Sequence, residues 1–341
     1  MLRLPPFELR PARSAADAAA ILAGDGPETL LVAGGTDLWP NLKRGLGRPR
    51  TVVSLMSVPE LRGLGNGSGE LRIGATTLLS DVLESRLAGE RYPSLARAVA
   101  SISSPPLRNL GTLGGNLCLD TRCTYYNQSE GWRKSVDFCL KKEGSVCWVA
   151  PRSPRCWAHS ASDAAPLLCA LAARVRLVSA AGERVIPVEA LFRDDGTEYL
   201  SKAADEILTD VLLPASSDAA HARSAFWKLR RRGSIDFAVL SVAVALWTDG
   251  AGCVERARIF LGAVASRPVS AADAERTLLG EPLTEEGIAA AARLARKVAT
   301  PLDNTDFQPP WRGKLVELYT EAALREAAGM DPGLRLREAR P

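Results

Sequence analysis

Short apolar runs separated by glycine and proline turns fill the first half of the chain and predict a mixed fold of helices and strands. The alanine-rich stretch Ala15–Ala23 predicts a helix with the Ser14 hydroxyl at its N-cap. A second, short helix is expected from Leu38. The predicted strands of this part are Thr29–Val32, Thr51–Leu55, Leu71–Ala75, Arg174–Val178 and Glu206–Leu213. After the third of them we expect a helix capped by Ser80 or Asp81, and Ala164–Leu171 predicts another.

The last third of the chain has strand-like runs first and helical runs afterwards. This order predicts an α+β unit in which a three-stranded antiparallel sheet is covered by a helix bundle. Its predicted strands are Phe226–Arg231, Val239–Trp247 and Ala257–Val264, and its predicted helices are Ala271–Leu279, Glu285–Val298 and Arg312–Ala327. The small-residue segment Ala215–Ala222 reads as a linker. We therefore expect one unit at residues 1–215, with subdomains at about 1–57 and 58–215, and a second at 222–330.

Residues 121–159 interrupt this regularity, with no convincing period of either 3.6 or 2 residues. The segment holds four of the seven cysteines and six of the 19 aromatic residues, and it has seven basic residues against three acidic ones. A stretch of this length without regular structure is uncommon inside a compact domain and is usually functional or disordered. It therefore needs a physical explanation.

Length and composition are those of an ordinary folded protein of about two domains, since 341 residues carry 46% hydrophobic and 24% charged residues. A formal net charge of +4 is too weak to demand nucleic acid. No apolar run is long enough to span a membrane, and the first residues lack the apolar core of a secretory signal. The sequence predicts a protein of the reducing cytoplasm, in which disulfides are not expected.

Two glycine-rich segments are candidates for binding phosphate groups. They are residues 33–37 (AGGTD) and residues 111–116 (GTLGGN), and each carries a hydroxyl residue, Thr36 or Thr112. Glycine lets backbone N–H groups approach an anion, and the hydroxyl can bond a phosphate oxygen. Neither segment has the Rossmann or P-loop spacing, and each alone could be a simple tight turn. Together they favour a ligand with two phosphates.

With their flanking residues, 31–38 (LVAGGTDL) and 108–118 (RNLGTLGGNLC), these segments resemble the two FAD pyrophosphate loops of flavin subunits in the molybdenum hydroxylase family. The resemblance extends over essentially the whole chain. It implies an FAD-binding domain of two α/β subdomains and a C-terminal α+β domain. Neither glycine loop contains a histidine, so a flavin attached covalently through a histidine is not expected. The residues that the resemblance implies for FAD are Leu31, Val32, Ala33, Gly34, Gly35, Thr36, Asp37, Leu38, Ile102, Gly111, Thr112, Gly115, Asn116, Cys118, Ser162, Asp163, Ile207, Leu208, Lys228 and Asp236.

The cysteines of the irregular segment are Cys123, Cys139, Cys147 and Cys156, with 15, 7 and 8 intervening residues. An iron–sulfur cluster needs four thiolates and tolerates wide spacing, and the basic surplus would offset its negative charge. Zinc sites usually have a Cys-x2-4-Cys knuckle, which is missing here. Four unrelated thiols are the third explanation, although free cysteines are usually buried in regular elements.

Most flavin subunits of this family pass from the second glycine loop to Ser162-Asp163 in a few residues, whereas this chain inserts about forty. With this insertion the chain resembles flavin subunits of the 4-hydroxybenzoyl-CoA reductase type, in which the insertion binds a [4Fe-4S] cluster. The resemblance implies the four cysteines as its ligands. It further implies a dimer of heterotrimers with a molybdenum cofactor subunit and a [2Fe-2S] subunit, and a ferredoxin-type electron donor. The competing hypotheses are a flavin subunit of a xanthine or CO dehydrogenase type and a zinc-stabilised interaction module without a redox role.

Overall fold

The computed structural model of the chain describes residues 3–67, 69–214 and 222–333. Nearly all of the predicted linker, Ala215–Ala222, lies outside them. Helices and strands are mixed in the first part and are ordered strands-then-helices in the last part, as predicted. No helix among the described residues is long and apolar enough to cross a membrane.

The first sheet has three parallel strands in the order β1-β3-β2. Helix α1 joins β1 to β2 on the opposite edge of the sheet, and α2 joins β2 to its neighbour β3, so both connections between these parallel strands contain a helix. The predicted N-cap is confirmed, because Ser14 Oγ accepts a hydrogen bond of 3.0 Å from the amide of Asp17. The elements are β1 (Glu8–Pro11), α1 (Ala15–Asp25), β2 (Thr29–Val32), α2 (Leu38–Lys43) and β3 (Thr51–Ser54), with 3-10 helices at Gly26–Glu28 and Pro59–Leu61.

The second sheet has five antiparallel strands in the order β4-β5-β8-β6-β7. Its strands are β4 (Leu64–Gly67), β5 (Glu70–Gly74), β6 (Arg174–Ser179), β7 (Gly182–Pro187) and β8 (Ile207–Leu213), and a 3-10 helix spans Val188–Leu191. Its helices are α3 (Leu79–Glu84), α4 (Arg86–Arg91), α5 (Pro93–Ala100), α6 (Pro105–Arg108), α7 (Leu113–Leu117), α8 (Glu130–Ser135) and α9 (Ala164–Ala170). The expected cap of α3 is wrong: Leu78 precedes the helix without a side-chain cap, and Ser80 and Asp81 lie in its first turn.

The third sheet is antiparallel, in the order β12-β11-β10-β9, and three helices cover it. The sheet has four strands among the described residues instead of the predicted three, because β12 has only two residues and leaves no periodic pattern. Its elements are β9 (Arg223–Leu229), β10 (Leu240–Thr248), β11 (Val254–Gly262), β12 (Val269–Ser270), α10 (Ala272–Thr277), α11 (Glu285–Val298) and α12 (Pro309–Ala327).

Residues 121–159 form an irregular insertion with one short helix, α8, and otherwise turns. Its two ends are joined by a reciprocal pair of backbone hydrogen bonds between Arg122 and His159, of 2.9 and 2.8 Å. The missing periodicity in the sequence therefore reflects a real lack of regular structure. From here on this segment is called the insertion.

Candidate cofactor site

A cavity of about 990 Å³ lies where the first sheet, the second glycine loop and the start of β8 meet. This volume is at the upper end of the range for small-molecule and cofactor sites. Sixteen of the twenty residues predicted for the cofactor line it: Leu31, Val32, Ala33, Gly34, Gly35, Thr36, Asp37, Leu38, Ile102, Gly111, Thr112, Gly115, Asn116, Cys118, Ile207 and Leu208. We call this space the dinucleotide cavity.

The two glycine loops touch each other at one wall of this cavity. A Cβ atom built on Gly34 would lie 1.7 Å from the carbonyl oxygen of Leu110, so only glycine allows the loops to approach so closely. Gly35 has a φ of +71°, which turns the chain from β2 into α2. Thr36 Oγ1 lies 3.5 Å from the position that a Cβ of Gly111 would take. The two segments predicted to hold two phosphates are therefore neighbours in space.

Hydrogen bonds within the second glycine loop orient its polar side chains. Thr112 Oγ1 accepts a bond of 3.1 Å from the amide of Gly115, which leaves its hydroxyl hydrogen available to donate. Asn116 Oδ1 accepts bonds from Ser162 Oγ at 2.9 Å and from the amide of Ala164 at 3.1 Å. The amide Nδ2 is thus the polar group that Asn116 can offer to a ligand.

Four residues predicted for the cofactor do not line the cavity: Ser162, Asp163, Lys228 and Asp236. Ser162 acts through Asn116. Lys228 Nζ lies 2.7 Å from Asp163 Oδ2 and donates to the carbonyl oxygen of Asp236 at 2.9 Å. Burial raises the pKa of Asp163 and lowers that of Lys228, and each charge opposes the effect on the other. The structure therefore places these four residues outside the cavity lining, and Ser162 is hydrogen-bonded to the lining residue Asn116.

Several residues that line the cavity were not predicted from the sequence. Asp120, Tyr126, Tyr199 and Phe237 all come from irregular segments, where periodicity gives no information about which way a side chain points. For Tyr126 the available signal was the density of aromatic residues in the insertion, whereas Asp120, Tyr199 and Phe237 lie outside that segment. Tyr126 and Asp120 are hydrogen-bonded, with the hydroxyl donating to Asp120 Oδ2 at 2.7 Å.

A second, small cavity lies inside the insertion and is lined by all four of its cysteines: Cys123, Cys139, Cys147 and Cys156. All four thiols are free and buried. Tyr126 lines both this cavity and the dinucleotide cavity. No three His, Cys, Asp or Glu side chains within residues 3–67, 69–214 and 222–333 are grouped closely enough to hold a single metal ion. We call this second space the cysteine cavity.

The thiols of the cysteine cavity influence one another electrostatically. Burial, with a smaller contribution from the thiols of Cys156 and Cys139, raises the pKa of Cys123 to about 12, and the backbone amides of Tyr125 and Tyr126 oppose this rise. The pKa of Cys156 is also raised by burial, and Lys141 opposes it. The cavity therefore combines four sulfur donors with backbone N–H groups that favour the ionised form of Cys123 and Cys156, and with a cation that favours that of Cys156.

Lys141 lies between the two cavities and contacts residues of both. Its ammonium is 2.7 Å from Asp120 Oδ1 and 2.8 Å from Thr121 Oγ1. It also lies over the rings of Tyr126 and Tyr199, at 4.8 and 5.2 Å from their centroids. A buried charge with this many partners has a fixed position.

Comparison with known families supports the cofactor expected at this site. Residues 5–216 match the model described as "FAD binding domain in molybdopterin dehydrogenase". Residues 224–327 match "CO dehydrogenase flavoprotein C-terminal domain". Together the two matches cover nearly all of the described chain.

Individual relatives are similar over most of their length. The carbon monoxide dehydrogenase medium chain of Hydrogenophaga pseudoflava is 26% identical, over 95% of this chain and 99% of its own. The xanthine dehydrogenase FAD-binding subunit of Escherichia coli O157:H7 is 27% identical, over 94% and 96%. An aldehyde oxidoreductase FAD-binding subunit of Escherichia coli K12 is 31% identical, over 75% and 82%.

Solved structures show the same fold. A structure of carbon monoxide dehydrogenase from Hydrogenophaga pseudoflava superposes with a TM-score of 0.77 at 26% identity, covering 96% of this chain and 99% of the other. Quinoline 2-oxidoreductase from Pseudomonas putida 86 superposes with a TM-score of 0.75 at 25% identity, covering 96% and 98%.

Proposed function

The chain belongs to the FAD-binding subunits of the molybdenum hydroxylase family, and from this premise we propose that it is the FAD and [4Fe-4S] electron-transfer subunit of a reductase of the 4-hydroxybenzoyl-CoA reductase type. The dinucleotide cavity is the place for FAD. The cysteine cavity is the place for the cluster. The observation that carries the proposal is that all four insertion cysteines line one buried cavity, which shares Tyr126 with the dinucleotide cavity.

The residues present are suited to an iron–sulfur cluster. Four cysteine thiols are the ligand set that such clusters take, and a cluster's ligands lie farther apart than those of a single ion. Hydrogen bonds and positive charges near the sulfurs are the means by which proteins tune these centres. The amide of Ala158, 3.4 Å from Cys156 Sγ, and the ammonium of Lys141 supply both.

When bound, FAD would supply two-electron chemistry and the cluster one-electron chemistry. The work of this chain is to hold the two groups close together and to exclude water between them. Tyr126, Tyr199 and Lys141 fill that space in the structure. In the proposed assembly a ferredoxin-type protein donates electrons, and a [2Fe-2S] subunit and a molybdenum subunit receive them, in a dimer of heterotrimers. We place this assembly in the reducing cytoplasm, as the sequence predicts.

The test is metal and flavin analysis of the anaerobically purified chain. We expect one FAD and four irons per chain, and we expect Cys139→Ala to lose iron while retaining flavin. The matched control is Cys253→Ala, since Cys253 lies in the third-sheet region, away from the insertion. Wild-type protein that binds FAD but contains zinc, or no metal, would refute the cluster and leave the flavin assignment standing.

A flavin subunit of another molybdenum hydroxylase is the second candidate, and the relatives favour it, since carbon monoxide and xanthine dehydrogenase subunits are among them. In that case the substrate is oxidised and FAD passes the electrons to NAD or quinone. Family membership argues against an interaction module without a redox role. The assembled complex distinguishes the two candidates: reduction of an aromatic thioester supports the first, and substrate oxidation coupled to NAD or quinone supports the second.

A further inference from the structure

Helix α2, which forms one wall of the dinucleotide cavity, is held at both ends by arginines of the insertion. The helix has six residues, and an isolated helix of that length is not stable in water. Its residues Leu38, Asn41 and Leu42, and Asp37 just before it, line the cavity. Whatever fixes α2 therefore fixes part of the FAD site.

Arg122 holds the N-terminal end. Its guanidinium is 4% exposed and forms an ion pair with Asp37 through Nη2. Nη1 donates to Asn41 Oδ1 at 3.0 Å, and Asn41 Nδ2 donates in turn to Asp37 Oδ2 at 3.0 Å. The three side chains form a closed ring. The Phe237 ring covers the guanidinium, with its centroid 4.9 Å away.

Arg133 holds the C-terminal end. It lies on α8 and is 1% exposed. Its Nη2 donates to the carbonyl oxygens of Arg44 and Gly45, at 3.1 and 3.2 Å. Carbonyl groups at the end of a helix lack intrahelical partners and carry the negative end of the helix dipole, so a buried guanidinium is a favourable partner.

The charge of Arg122 also matters to the ligand. FAD carries an anionic diphosphate, and Asp37 is a carboxylate in the wall of the cavity that would bind it. Paired with Arg122, this carboxylate is neutralised; unpaired, it would repel the diphosphate. The ion pair thus connects the insertion to the affinity of the cavity for an anion.

We propose that Arg122 and Arg133 are positioning residues through which the folded insertion sets the FAD affinity of the neighbouring cavity. The coupling is reciprocal, so bound FAD also stabilises the insertion. The inference rests on FAD binding in the dinucleotide cavity and does not require that the cysteine cavity hold metal. It gives the insertion a role in the flavin site as well as its proposed role in holding a cluster.

The first test titrates the flavin-free full chain with FAD and measures the dissociation constant by flavin fluorescence. We expect Arg122→Met to weaken FAD roughly tenfold, the order of effect seen for residues that modulate coupling between sites. In an Asp37→Asn background the same substitution is expected to cost much less, because the carboxylate is gone. Arg152→Met is the control, since Arg152 is an exposed arginine of the same insertion.

The inference is overturned if Arg122→Met binds FAD as tightly as Arg152→Met, or if its cost is the same in both backgrounds. Wild-type protein that binds no FAD would instead refute the function itself. The second test uses unaltered protein: adding FAD should slow amide hydrogen exchange in α8 by at least roughly tenfold, with α11 as the unaffected control. Exchange in α8 that is unchanged while the glycine loops gain protection would also overturn it.

Discussion

The ammonium of Lys228 on β9 lies 2.7 Å from the carboxylate of Asp163, which precedes α9, and the two side chains are 3% and 4% exposed. The same ammonium donates to the carbonyl oxygens of Ser101 at 3.0 Å and Asp236 at 2.9 Å. One buried cation thus joins the third sheet to the segment that leads into α9, where Ser162 and Ala164 donate hydrogen bonds to Asn116. Both residues were predicted from the sequence to belong to the cofactor site, and the structure gives them a supporting position.

We expect Lys228→Met to destabilise the chain by about 3–5 kcal/mol, because it leaves Asp163 as an unpaired buried charge. The measurement is chemical unfolding of the flavin-free protein. The control is Arg86→Met, which breaks an exposed ion pair with Glu90 and should cost no more than about 0.5 kcal/mol. Equal costs for the two substitutions would show that the buried pair does not hold the regions together.

The sequence predicts the parts of the site that depend on local chemistry. Glycine and hydroxyl residues identify both loops, because such loops need those residue types. The family resemblance implied that the four insertion cysteines belong to one site, and in the structure they line one cavity. Most strands were recognised from their periodicity, whereas β1, β4, β7 and β12 and the helices α4 to α8 were missed. β1 and β7 are almost entirely exposed, β4 is half glycine and β12 has only two residues, so none of these strands has an alternating apolar pattern.

Contacts between segments that are distant along the chain could not be predicted from the sequence. The basic surplus of the insertion was interpreted as compensation for a cluster, yet Arg122 and Arg133 are buried and directed at α2. An arginine is usually exposed, so its sequence position alone gives no reason to bury it. In the same way, nothing near Lys228 in the sequence identifies Asp163 as its partner. Which side chains from distant parts of the sequence form ion pairs and hydrogen bonds is determined by the fold.

The contact between the glycine loops gives a prediction for Gly34. We expect Gly34→Ala to weaken FAD binding by more than about tenfold, because the added Cβ would lie 1.7 Å from the carbonyl oxygen of Leu110 and would push the loops apart. Gly24→Ala is the control: a Cβ there meets nothing within 4 Å, and alanine in helix α1 should be neutral or stabilising by up to about 1 kcal/mol. Flavin titration and thermal unfolding measure the two effects. Undiminished FAD binding by Gly34→Ala would place the ligand elsewhere.

His159, at the base of the insertion, gives a prediction for pH dependence. Burial lowers its pKa to about 4, against about 6.5 for an unfolded chain. Between pH 6.5 and pH 4 the unfolded state binds more protons at this histidine than the folded state does. The free energy of unfolding is therefore unaffected by the titration of His159 above about pH 6.5 and falls by up to about 3 kcal/mol as the pH is lowered towards 4. His159→Gln should flatten this part of the stability profile. If unfolding midpoints of the variant and the wild type fall in parallel from pH 6.5 to 4, His159 is not the group responsible.

Lys141 gives a prediction for the redox behaviour of the proposed cluster. Its ammonium is buried, is held by Asp120 and Thr121, and favours the ionised form of Cys156. A nearby positive charge stabilises the more negative, reduced state of a thiolate-bound centre. We therefore expect Lys141→Met to lower the reduction potential on the order of 60 mV, which corresponds to about a tenfold change in a one-electron equilibrium, as measured by a titration followed by EPR. Lys142→Met is the neighbouring control, because Lys142 does not line the cysteine cavity and its side chain is more exposed than that of Lys141. Potentials that are equal in the two variants, or higher in Lys141→Met, would show that the charge between the two cavities does not act on the cluster.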